Sequence, residues 1–94
     1  MLDKDKSEAI LEDFYRDNLN YWRREGNDEF EAHKSALEND MIGLFKQNNG
    51  CLHDPNVPRG EELDIPTTIA FLKARCIDLY GKKWENHWKE YGLE

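Results

Sequence analysis

The feature that most constrains this chain is a spacing. In three separate segments, large apolar side chains return every third or fourth residue, the interval that lines them along one face of an α-helix. The first stripe is Ile10, Leu11, Phe14, Tyr15, Asn18, Leu19, Tyr21 and Trp22. The second is Phe30, His33, Leu37, Met41, Leu44 and Phe45. The third is Ile69, Leu72, Cys76 and Leu79/Tyr80. No segment reads convincingly as a strand, and there is no internal repeat or low-complexity tract.

Punctuation between the stripes sets the element boundaries. Asp5 and Glu8 have capping-box spacing, in which a side-chain acceptor and a carboxylate three residues on satisfy the unpaired amides of a first turn. Gly26 supplies a left-handed stop, so helix 1 is expected over about 5–25, with Glu12 and Arg16 paired four apart on its outer side. Asn27 or Asp28 opens helix 2 over about 28–48, with Glu29 and Glu31 at the end of the helix dipole that favours acids. Its short connection to helix 1 predicts an antiparallel hairpin. Asn48-Asn49-Gly50 ends it. The segment 50–64 carries two prolines and two glycines without periodicity and reads as one long loop, with Leu52 and Val57 able to tuck it onto the bundle.

Asp64 and Pro66 announce helix 3 over 65–80, since proline in a first turn loses no hydrogen bond. Gly81 interrupts the pattern, and Lys82-Lys83 suit the negative end of a helix that stops there. Residues 82–91 then place Trp84, Trp88 and Tyr91 at spacings of four and three, as a fourth helix or a kinked continuation of the third. The expected fold class is therefore all-α: residues 1–94 as a single helical domain, a small up-down bundle of three long helices plus a short C-terminal fourth element.

Ninety-four residues leave room for one core. Charged residues are 35% of the chain, yet three Trp, four Tyr and four Phe are too many large side chains for a disordered acidic polymer. The net charge of −7 is uneven: residues 1–32 carry ten acids against five bases, whereas residues 65–94 carry four against five. Nucleic-acid binding needs a basic footprint, which an acidic front does not offer. A helix-turn-helix is also excluded, because the connection between helices 2 and 3 is far longer than that motif uses. Helix 2 would moreover present Glu29, Glu31, Glu38 and Asp40 to phosphates.

Catalytic and metal motifs do not stand at the spacing their chemistry requires. Zinc wants paired Cys or His ligands; Cys51-x-His53 is the only close pair, while Cys76, His33 and His87 are dispersed. A helical di-iron site needs Glu-x-x-His, but Phe30, Gly50 and Trp84 stand three residues before the histidines. Cys51 and His53 have no third group to orient them and no oxyanion element. There is no Gly-rich phosphate loop. The expectation is no enzyme, no cofactor and no metal, with His33 a hydrogen-bonded core or boundary residue.

The strongest positive signal is 82–91, KKWENHWKEY. Its aromatic face has two readings, bundle core or partner surface, because Trp, Tyr and Arg supply binding energy out of proportion to their number. The candidate partner-binding residues are Trp84, Trp88 and Tyr91, joined by Trp22 and by Arg59 of the long loop. The stretch Gly60–Lys83 resembles the last helix of colicin-type immunity proteins, small acidic four-helix inhibitors of nuclease toxins. That resemblance covers about a quarter of the chain. Where that family has an Asp and paired tyrosines before a proline, this chain has Leu52-His53-Asp54-Pro55.

No run reaches the roughly 20 apolar residues of a membrane span. With no secretory apolar stretch at the start, the two cysteines are expected as free thiols in a cytoplasmic setting, a Cys51–Cys76 disulfide being the alternative. The leading functional expectation is a non-enzymatic protein-binding module, an acidic inhibitor, immunity or antitoxin-like factor covering a basic partner site. A structural homodimer comes second, and a small ligand- or metal-binding bundle third.

Overall fold

A computed structural model describes residues 2–47, 57 and 60–93. Most of the described residues are helical, and none of them forms a strand. Helix α1 spans Lys4–Arg24, α2 Glu29–Ser35, a π-helical segment Ala36–Ile42, and α3 Gly43–Gln47; the last three form one continuous rod. Helix α4 spans Ile65–Tyr80, a 3-10 turn Gly81–Lys83, and α5 Trp84–Tyr91. Among the described residues, no helix is long and apolar enough to cross a membrane.

Local chemistry starts each long helix. Asp28 caps α2 by accepting from the Glu31 amide at 2.8 Å, and Asp64 caps α4 by accepting from the Thr67 amide at 3.2 Å. The start of α1 differs from the expected box: Asp3, not Asp5, is the cap, accepting from the Lys6 amide at 2.8 Å. A tertiary tie accompanies this earlier start. The Leu2 amide donates to the Glu62 carbonyl at 2.8 Å, and Ser7, fully buried, accepts from the Asp64 amide at 3.0 Å. Arg16 lies 3.0 Å from Asp13 rather than pairing outward along the expected Glu12 spacing. Gly81 ends α4 at φ 58°, a conformation that a residue with a Cβ adopts only under strain.

The core gathers one stripe from each helix. Leu11, Tyr15 and Leu19 come from α1; Leu37, Met41, Ile42 and Phe45 from the rod; Phe71, Leu72 and Cys76 from α4; Trp88 from α5. Ala32 and Ala36, also buried, let α1 approach the rod closely. Burial of each large side chain contributes about 1.5–3 kcal/mol. Two residues expected on the stripes lie at their edges instead: Tyr21 is 47% and Phe30 48% exposed. Val57 packs against the core as expected, whereas Leu52 and the end of helix 2 at Asn48-Asn49-Gly50 lie outside the described residues.

The order of cross-helix contacts shows how the elements meet. The Ser7–Asp64 bond and the Tyr15–Phe71 ring contact advance together along both chains, so α1 and α4 lie side by side in the same direction. Against the rod, Tyr15 reaches His33 and Trp22 reaches Asp40. Nearer the connection Arg23 meets Glu29, so from Arg23–Glu29 to Tyr15–His33 the contacts run back along α1 as they advance along the rod.

Inside the rod, the Gly43 amide donates to the Glu38 carbonyl five residues back, the π-type bond that widens the helix. A Cβ on residue 43 would sit 3.3 Å from that carbonyl oxygen, so glycine removes the substituent that would press on it. The widened turn carries Glu38 and Asp40. Two residues apart is roughly half a turn, and their carboxylates leave the rod on opposite flanks.

Candidate functional site

A depression runs between α1 and α4, with a volume of about 480 Å³. From α1 it is lined by Asp5, Glu8, Ala9 and Glu12, and from α4 by Thr67, Ala70, Phe71 and Ala74. Both sets follow the i, i+3, i+4, i+7 spacing of a single helical face, because the two helices run side by side. The α1 rim is acidic. Asp5, Glu8 and Glu12 are exposed, and the ion pair described at this rim is Lys4–Glu8, at 4.0 Å with the lysine 74% exposed. Ala9, Ala70 and Ala74 keep the floor low, and all three are exposed.

Arg75 closes one end of the cleft. Its guanidinium lies over the rings of Tyr15 and Phe71, 5.7 and 5.5 Å from their centroids, and pairs with Asp78 at 2.8 Å. Its Nε is buried without a hydrogen-bond partner. Beyond Arg75 lies a smaller depression of about 230 Å³, lined by Tyr15, Glu29, Phe30, His33 and Leu79 together with Arg75 and Asp78. The two depressions meet at the arginine.

The second depression contains a polar relay. The Tyr15 hydroxyl lies 2.6 Å from His33 Nδ1; donation by the phenol puts the imidazole proton on Nε2, which faces Glu29 Oε2 at 3.6 Å. Glu29 in turn accepts two bonds of 2.8 Å from Arg23, and this pairing holds its carboxyl below the usual range. Nucleophilic or acid–base chemistry needs a hydroxyl made more acidic. Burial does the reverse here, pushing the Tyr15 phenol up to about 12. His33, expected as a hydrogen-bonded boundary residue, is half-buried and tied to α1.

The sequence-derived aromatic candidates are drawn into the fold. Trp88 is 5% exposed in the core, while Trp84 and Tyr91 are half-buried against it. Lys73 Nζ lies 5.4 Å from the Trp84 ring centroid. Tyr80 and Tyr91 both donate to Glu38 Oε2, at 2.5 and 2.6 Å, so the π-helical segment clamps the end of α4 and the end of α5 with one carboxylate oxygen. Burial, and then the carboxylate itself, push both phenols well above the ordinary tyrosine range. His87 stacks on Tyr80 at 3.5 Å.

Trp22 donates to Asp40 at 2.6 Å on the opposite flank of the rod, so it does not join Trp84, Trp88 and Tyr91 in one surface. Burial raises the Asp40 carboxyl, and the indole bond partly offsets this. Cys76 is free and buried, its thiol also raised by burial. Arg59, Cys51 and His53 lie outside the described residues.

Sequence reasoning missed Glu38 and Asp40 as internal acceptors, treating them as solvated acids. Their signal was faint: two acids flanking Leu37 and Met41 in a helix whose partners supply Trp and Tyr donors. Among the described residues, no three His, Cys, Asp or Glu side chains come together as metal ligands. No known protein family, curated protein or solved structure matches the chain.

Proposed function

We propose that this protein is a non-enzymatic protein-binding module, an acidic inhibitor, immunity or antitoxin-like factor that covers a basic site on a partner protein. One observation carries the reading: the exposed rim of α1, where Asp5, Glu8 and Glu12 stand one helical turn apart beside an open cleft. Carboxylates so placed raise the local concentration of a basic partner and speed its encounter. The polar groups of the interior support the same view, since Tyr15, Tyr80 and Tyr91 are all made less acidic by burial.

We read the helices as an up-down order in which α1 and α4 are the outer members, the rod is the middle member and α5 the short fourth. The self-associating alternative drew on the C-terminal aromatics, which the chain packs against its own core. The setting is proposed to be cytoplasmic.

The test is capture of partners by the whole protein from its own cells at low and high salt, beside an Asp5→Asn/Glu8→Gln/Glu12→Gln variant. A basic protein retained at low salt, released at high salt and lost by the variant is the expected result. A retained partner that is acidic, or insensitive to both salt and variant, overturns the proposal, as does no retained partner.

A further inference from the structure

We infer that the α1–α4 cleft is a seat for one helix of the partner, basic along one face and small-residued where it touches the floor. This rests on the protein-binding reading above and specifies its site and occupant. The cleft walls are two helical faces side by side, each with i, i+3, i+4, i+7 spacing. A third helix laid along them completes the packing that each wall offers, since ridges formed at these intervals interdigitate with another helix. Ala9, Ala70 and Ala74 form the exposed floor, where a backbone can approach without displacing a large side chain.

Charge sets the register. Asp5, Glu8 and Glu12 advance three and then four residues, and together they span about 10 Å of helix. Lys or Arg at the same intervals on the docked helix meets each carboxylate in turn. At the closed end Arg75 is already paired with Asp78 at 2.8 Å and the rim offers no further carboxylate, so the occupant's basic face ends after two turns. A second copy of this chain is disfavoured as occupant by its net charge of −7.

The probe is an alanine-based peptide of about 18 residues, long enough to hold some helix in water. It carries Lys at i, i+3 and i+7. A scrambled peptide of identical composition is the control. Binding is read by anisotropy at low salt, and backbone amide shifts locate the peptide on the protein.

Three exposed ion pairs of ordinary strength predict a loss of about tenfold in affinity for the Asp5→Asn/Glu8→Gln/Glu12→Gln variant. Ala70→Trp, which fills the floor, is expected to abolish binding, and helical circular dichroism checks that it folds. If it does not fold, Ala74→Trp takes its place. Amide shifts are expected at 5–12 and 67–75. Equal binding of the scrambled peptide, shifts centred elsewhere, or no binding overturns the inference. The two proposals separate through the natural partner: capture lost by the charge variant but kept by Ala70→Trp leaves the function standing and removes the cleft.

Discussion

Replacing Glu38 by alanine removes the single oxygen on which Tyr80 and Tyr91 converge. A hydrogen bond to a charged group contributes about 1.5–3 kcal/mol, and leaving its buried donor unpaired costs on the order of 1–3 kcal/mol. The two bonds share one acceptor and both phenols are half-buried, so water relieves part of the loss. The expected cost is about 3 kcal/mol, a large fraction of the roughly 5–14 kcal/mol that a domain of this size has in total. In urea unfolding followed by helical circular dichroism, a slope of about 2 kcal/mol per M turns this into a midpoint drop of about 1.5 M. Glu38→Gln keeps an acceptor oxygen without the charge and is expected to cost about 1 kcal/mol. Tyr80→Phe and Tyr91→Phe complete two double-mutant cycles with Glu38→Ala, each with a coupling of about 1 kcal/mol or more. Near-ultraviolet dichroism of Trp84 and Trp88 should also weaken as α5 loosens. Coupling within about 0.3 kcal/mol of zero in both cycles would refute the clamp, because the phenols would then gain nothing from the carboxylate.

Asp64→Ala removes the cap of α4, whose side chain accepts from the Thr67 amide and hydroxyl, and should cost about 1 kcal/mol of unfolding free energy in the same urea assay. A loss below about 0.3 kcal/mol would mean another group caps that helix end. The Tyr15 phenol, about 12 when folded, lies above its unfolded value near 10. The unfolded chain then loses that proton first, so the associated stability is whole below pH 10 and is lost as pH rises from 10 to 12. The loss is about 2 kcal/mol for this group, and Tyr80 and Tyr91, displaced in the same direction, steepen it. Urea midpoints across that interval should fall in the parent and fall less in Tyr15→Phe; equal slopes contradict the assignment.

Much of the chain was legible where the cause is local. Asp28, Asp64 with Pro66, and Gly81 each act within a few residues, through an unpaired amide or a positive φ, and the boundaries they mark hold in the structure. The start of α1 shows the limit. Asp5 was the expected cap, whereas Asp3 is the cap, in a chain start also tied to the α4 segment through Leu2–Glu62 and Ser7–Asp64. Tyr21 and Phe30 show another limit, since a three-four spacing gives a direction around the helix but not the width of the face that is covered. The candidate site divides in the same way. The acids of α1 and their one-turn spacing are visible in the sequence, while the cleft needs α4 beside them to supply the opposite wall.

The three helical stripes and the caps of α2 and α4 were determined by the sequence alone, because helix formation and termination depend on neighbours within one or two turns. Tertiary structure decided the side-by-side run of α1 and α4, the inward turn of the C-terminal aromatics and the roles of Glu38 and Asp40. Those depend on which donors arrive from distant segments and on a π-type turn that sets where each carboxylate leaves the rod. A charged residue in a helix reads as solvated until a buried phenol or indole is brought to it, and only the packed fold brings it there.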